Sequence, residues 1–213
     1  MKLTLRLSLL ILAVFGAAPA MAQIDQRPLK SPREEAALMG RCLVNASGGY
    51  WRRVIDEPFG DRASFDLFEK GILASSCIKQ MVNEVRFPPI LARGMIYNAL
   101  YERDFKKAPP IASFEDAPAI VFPVAETAPA SVADQYRNSM AIGECVARAM
   151  PVETRNFVLS RVGSPEEQAA LGPLMPALQQ CIPEGMEVTL KISVVRAAVV
   201  EPLYRLTQAR VKP

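Results

Sequence analysis

Apolar residues along this chain fall mostly at intervals of three and four, the period of a helix buried on one side. The first such stretch follows Ser31-Pro32-Arg33-Glu34. These residues combine an N-cap serine, a proline at the first helical position and a glutamate at the third, where side chain and backbone satisfy each other's free groups. Ala36, Met39, Leu43 and Ala46 then share one face, and Ser47-Gly48-Gly49 is expected to close the helix. A second stretch, from Asp61 to about Lys79, aligns Phe65, Phe68 and Ile72, and a third begins near Pro89. Later in the chain the same signals predict a helix from about Val132 to Met150 capped by Ser131, and a short one from Pro151 to Val162 stopped by Gly163. Another starts at Ser164-Pro165-Glu166-Glu167 and runs towards Cys181, kinked or broken by Pro173 and Pro176. The last begins near Ser193, with Pro202 as a threat to its continuity.

Two stretches depart from the helical period. Val188, Leu190 and Ile192 alternate with Thr189, Lys191 and Ser193, the pattern of a short edge or hairpin strand. The region from Phe105 to Ser131 carries Pro109, Pro110, Pro118, Pro123 and Pro129, a composition that resists regular structure. Its run Ile120-Val121-Phe122 is apolar enough to pack on a neighbour, so a draped connector is expected rather than a free tether. The expected fold class is all-α, built mainly of short helices, with room for one short strand in each half.

The chain divides into halves because it matches itself at an offset of 103 residues. Gly40-Arg41-Cys42-Leu43-Val44-Asn45-Ala46 falls on Gly143-Glu144-Cys145-Val146-Ala147-Arg148-Ala149. ILARGMIYNALY falls on SVVRAAVVEPLY, so that Arg93 meets Arg196, Leu100 meets Leu203 and Tyr101 meets Tyr204. A tandem duplication of one helical unit is the expected origin. The boundaries that follow are a leader over 1–22, a linker over 23–30, a first repeat over 31–105, a connector over 106–130 and a second repeat over 131–210.

The leader is read from its own pattern. MKLTLR carries two positive charges, LSLLILAVFG is an apolar core, and Ala20-Met21-Ala22 places small residues where a signal peptidase reads them. Sec-type cleavage after Ala22 is expected, giving a periplasmic or secreted protein with no stable membrane span. Lys2 and Arg6 leave with the leader, so the formal charge falls from +3 to +1. That balance lacks the electrostatic footprint of a nucleic-acid binder. Four cysteines remain, Cys42, Cys77, Cys145 and Cys181. An even count in an oxidising compartment reads as two disulfides. Three pairings are open on arithmetic alone, and the repeat favours one bond within each half.

Candidate chemistry narrows quickly, because the chain has no histidine. Histidine general bases, Ser-His-Asp triads and histidine zinc sites are excluded. Glycine-rich phosphate loops and acidic calcium loops are missing as well. Ser76 and Lys79 match an S-x-x-K spacing, but without the accompanying elements of acyl transferases and at a frequency expected by chance. The acid pairs Glu34-Glu35 and Glu166-Glu167 lie in first helical turns, where they complement the helix dipole. No catalytic, cofactor or metal-binding residue is assigned. Trp51, Arg52 and Arg53 form the candidate contact for a partner, since an aromatic beside arginines can anchor one. Arg93, Tyr101, Arg196 and Tyr204 are expected to be structural positions of the repeat, each arginine laying its stem along an apolar helix face.

The pattern G-x-C-[VL]-[VA]-x-A, with a later cysteine and an R-[GA]-x-x-x-x-x-L-Y helix, resembles exported proteins of alphaproteobacteria, particularly the sphingomonad type. The resemblance covers both repeats but not the connector, and it implies a repeated, periplasmic, mainly helical build. Such proteins often carry a glutamate five residues after the arginine. Glu201 has that place after Arg196, whereas Asn98 has it after Arg93. The functional expectation is a non-catalytic structural or interaction module serving an unknown protein or envelope component. The alternative is a protein that binds a small molecule or glycan, or a histidine-independent enzyme, with its site between the repeats.

Overall fold

The computed structural model describes residues 31–77, 88–188 and 190–211. The expected leader, the linker and Lys79 lie outside the described residues. Helix α1 spans Pro32–Asp56, α2 Arg62–Ala74, α3 Pro89–Phe105, α4 Ala130–Ala149, α5 Pro151–Leu159, α6 Pro165–Leu171, α7 Met175–Cys181 and α8 Ile192–Val211. A 3-10 turn over Gly172–Leu174 links α6 to α7 and takes up Pro173, while Pro176 lies in the first turn of α7. The fold is all-α. Among the described residues there is no strand, and an isolated parallel bridge joins Phe59 to Val124.

Helices α3 and α8 form the centre. Both are apolar nearly all round, as a helix covered on several sides must be, and they pack on each other while α1 covers α3 and α4 covers α8. Ile96, Leu100, Val199 and Val200 are fully enclosed at this junction. Each contributes roughly 1.5 to 3 kcal/mol of hydrophobic stabilisation. Disulfides Cys42–Cys77 and Cys145–Cys181 close loops of 35 and 36 residues. Each restricts the unfolded chain by an amount equivalent to about 3 to 4 kcal/mol.

Several element boundaries differ from the sequence reading. Helix α1 continues past Ser47 to Asp56, and Ser47 alone leaves helical geometry, at φ −155° and ψ 62°. The glycine pair marks a kink there rather than an end, because the apolar period resumes with Trp51, Val54 and Ile55. Helix α4 starts at Ala130, and Ser131 caps nothing. The carbonyl of Pro129 already accepts the N–H groups of Val132 and Ala133, which sets the start two residues earlier than a Ser131 cap would. Among the described residues of the stretch Val188 to Ile192 the expected strand is not seen, and Ile192 already belongs to α8. Among the described residues no strand lies beside that stretch to complete a ladder, and Lys191 instead accepts the first helical bonds of α8 from Val194 and Val195.

Pro202 sits inside α8 without ending it. Proline removes the N–H that would reach the Ala198 carbonyl. Gly143 of α4 lies directly on that carbonyl, so close that a methyl group at this position would overlap it. The connector drapes over the second half. Arg148 donates to the carbonyls of Phe114, Ala117 and Pro118, and Arg155 to those of Phe105, Lys106 and Ala108. Phe114 is thereby held inside the core, whereas Val121 points to solvent.

Candidate functional site at the junction of the two central helices

Arg93 and Arg196 sit one turn into α3 and α8, and both are buried. Arg93 donates through Nε and Nη2 to the Glu201 carboxylate at 2.9 and 3.1 Å, through Nη2 to the Ile55 carbonyl at 2.5 Å, and through Nη1 to the Glu57 carbonyl at 3.3 Å. Glu201 also accepts from the Tyr136 hydroxyl at 3.0 Å and from Arg205. Tyr97 places its ring beneath Arg93, and its hydroxyl accepts from Arg205 at 2.8 Å.

Burial opposes the charge on Arg93, but Glu201, Tyr97 and Tyr136 outweigh it and raise its pKa above the ordinary value. Burial likewise opposes the charge on Glu201, and Arg93 with Arg205 overcomes it, so that the carboxyl is held below its usual range. The Tyr97 and Tyr136 phenols are pushed up by burial and by Glu201.

Around Arg196 the frame is the same and the acid is different. Arg196 donates through Nη1 to the Val158 carbonyl at 2.7 Å and to Asn98 Oδ1 at 3.2 Å, and through Nη2 to Ser160 Oγ at 2.9 Å. Its ion-pair partner is Glu167, reached from Nε at 3.0 Å and from Nη2 at 2.9 Å. Glu167 also accepts from Arg33 Nη2 at 2.6 Å and from the Gly163 N–H. The Phe157 ring lies 4.6 Å beneath the guanidinium. Here burial prevails over Glu167, and the Arg196 pKa is lowered from its ordinary value.

Positions 103 apart have matching roles in the two environments. Ile55 and Val158 supply the carbonyl, Glu57 and Ser160 supply the next acceptor, and Asn98 and Glu201 each reach across the junction to the arginine of the other half. Gly94 lies directly against Ala197, its own counterpart. The kink at Ser47 has the backbone of Met150, at φ −137° and ψ 65°, where α4 gives way to α5. Gly60 and Gly163, at φ 84° and 80°, both make the left-handed turn that glycine alone enters freely.

Chemically, this arrangement holds rather than reacts. Arg196 donates from all three of its nitrogens to Glu167, Asn98, Val158 and Ser160, and the donors of Arg93 point at carbonyls and at Glu201. A carboxylate kept ionised below its normal range by two arginines is a poor proton acceptor near neutral pH. Sequence reasoning identifies the arginines but misses three of their companions: Tyr136, Arg33, and Glu167 as a partner rather than a helix-start acid. The signal for the acid that reaches across was present in the alignment of Glu201 with Asn98.

The other singled-out residues lie elsewhere. Trp51 is inside the core at 2% exposure, edge-on to Tyr50 and Phe68, and offers no face to a partner. The helix continues through it, which turns the ring inward. Arg52 pairs with Asp104 at 2.7 Å, and the exposed Arg53 lies over the Tyr50 ring. Tyr101 is buried, and the Tyr204 hydroxyl donates to Asp104 at 3.0 Å. Ser76 stands beside the Cys77 disulfide.

Two cavities flank the junction. One of about 230 Å³ is lined by Ala36 and Ala37 of α1, Leu91 and Met95 of α3, and Val162 and Ala197, with Arg33, Asn98 and Arg196 as polar members. The other, of about 190 Å³, lies between α2 and α3, where Ser64 and Phe68 face Arg93. Among the described residues no cluster of acids and cysteines could hold a metal ion, and no helix is long and apolar enough to cross a membrane. Compared with known proteins, the chain matches no family model, no curated protein and no solved structure.

Proposed function

We propose that this protein is an exported, non-catalytic structural or interaction module of the bacterial periplasm, formed by tandem duplication of a disulfide-stapled helical unit. The observation that carries the reading is the pair of buried arginines. Each donates to a carbonyl at positions related by the same offset, Ile55 and Val158, and each pairs with a buried carboxylate, as a device for holding two halves together would require. The two disulfides and the described helices, none fit to span a membrane, support an exported protein. Crosslinking in the periplasm followed by identification of the captured partner tests the reading. Reproducible recovery of one envelope protein supports it, and turnover of a substrate by the purified protein would contradict it.

A second reading places a small-molecule site between the halves. The cavity lined jointly by α1, α3 and α8 favours it, because its walls come from both sides of the junction.

A further inference from the structure

The larger cavity has a filled counterpart on the opposite side of the α3–α8 junction. There Phe59 stacks on Tyr136 at 4.0 Å, Met140 and Ile90 pack beside them, and Phe122 and Val124 of the connector close the cluster. At the offset of 103, Phe59 corresponds to Val162, Met140 to Ala37 and Ile90 to Ser193. On the open side each of these side chains is smaller, and all three line the cavity. Three smaller side chains within one frame thus help to leave the space open. Packed interiors rarely leave such a void, since missing contacts cost stability.

The fourth correspondence gives the space its polarity. Arg33 stands where Tyr136 stands in the filled cluster. It reaches Glu167 through Nη2 alone, and its Nε is buried and makes no hydrogen bond. Arg196 lines the same cavity, and Glu167 is bonded to both arginines at this end of a mostly apolar space. A buried guanidinium donor calls for an acceptor, and a carboxylate matches its fork.

We propose that this cavity binds a small amphiphile with a single carboxylate head and a medium-length apolar tail, the head on Arg33 and the tail between Ala37, Leu91 and Val162. The proposal rests on the second reading above and names its ligand class. Octanoate and octanol, titrated calorimetrically into the purified protein with both disulfides formed, provide the test. Octanoate is expected to bind saturably at one site, at least tenfold more tightly than octanol. Arg33→Gln should bring octanoate down to the affinity of octanol, and the double substitution Ala37→Met, Val162→Phe should abolish binding of both while thermal unfolding stays unchanged or rises. Equal affinity for octanol and octanoate in the unsubstituted protein would overturn the carboxylate proposal and leave the small-molecule reading standing. No saturable binding of either probe, or undiminished binding in the folded Ala37→Met, Val162→Phe protein, would overturn both.

Discussion

The surroundings of Arg93 and of Arg196 share a backbone frame and differ in where the negative charge originates. Arg93 takes Glu201 from the other half, across the α3–α8 junction, and the place that Glu167 occupies beside Arg196 is held by Ser64 beside Arg93. Arg196 takes Glu167 from its own half and meets only the neutral Asn98 across the junction. Both acids come from the second half. Arg93 and Arg33 thus depend on the second half for their acidic partners. The cavity between α2 and α3 is the space that an acid at position 64 would enter. Two matching frames can keep the same geometry while their charges sit at different positions, provided every buried charge still finds a partner.

The largest effects should come from breaking the two ion pairs. Arg93→Ala and Arg196→Ala are each expected to cost about 3 kcal/mol in urea unfolding, since each leaves a buried carboxylate short of its main partner. Hydrogen exchange would separate them. Loss of Arg93 should loosen amides in both α3 and α8, whereas loss of Arg196 should loosen α6 and α8.

Removing the Cys145–Cys181 bond by double alanine substitution should cost about 3 kcal/mol, and removing Cys42–Cys77 a comparable amount, measured by thermal unfolding. Gly143→Ala is a smaller perturbation of the second half. The added methyl meets the Ala198 carbonyl that Pro202 leaves free, and the expected loss is about 1 to 3 kcal/mol.

The pH profile sharpens the contrast further. The pKa of Glu201 is lower in the folded state, so its contribution is present at neutral pH and is lost as pH falls through and below the ordinary carboxylate range. Tyr97 and Tyr136 have raised values. The unfolded chain therefore loses their protons first above about pH 10, and stability declines as pH rises from there. Tyr136→Phe should flatten the alkaline limb of a stability-against-pH curve. The smallest effect belongs to Arg53→Ala, which changes an exposed side chain and should stay within about 0.5 kcal/mol.

Much of this architecture is legible in the sequence because local rules govern it. The Ser31 and Ser164 caps accept the N–H bonds their spacing implies, whereas α5 ends at Leu159, before the Gly163 turn expected to stop it. The arginine positions emerge from the self-alignment. What escaped depends on long-range geometry. Glycine beside serine at 47–49 looks like a helix end when the apolar face beyond it is not followed, and Trp51 then looks like a surface anchor. Glu167 satisfies a helix-start pattern completely, so nothing local reveals that it also neutralises a side chain 29 residues away. The alternation at 188–192 carries a strand's period, but a strand needs a neighbour, and among the described residues none lies beside it.

The central claim is that one frame, occupied twice, places the two arginines as structural latches. A rescue experiment tests it most directly. Glu201→Asn removes the acid beside Arg93 and should destabilise the protein by about 3 kcal/mol in urea. Adding Ser64→Glu places a carboxylate where Glu167 stands in the other half. The account predicts recovery of at least half of the lost stability in the double variant. A Ser64→Glu, Glu201→Asn protein that folds but is no more stable than Glu201→Asn alone would contradict it.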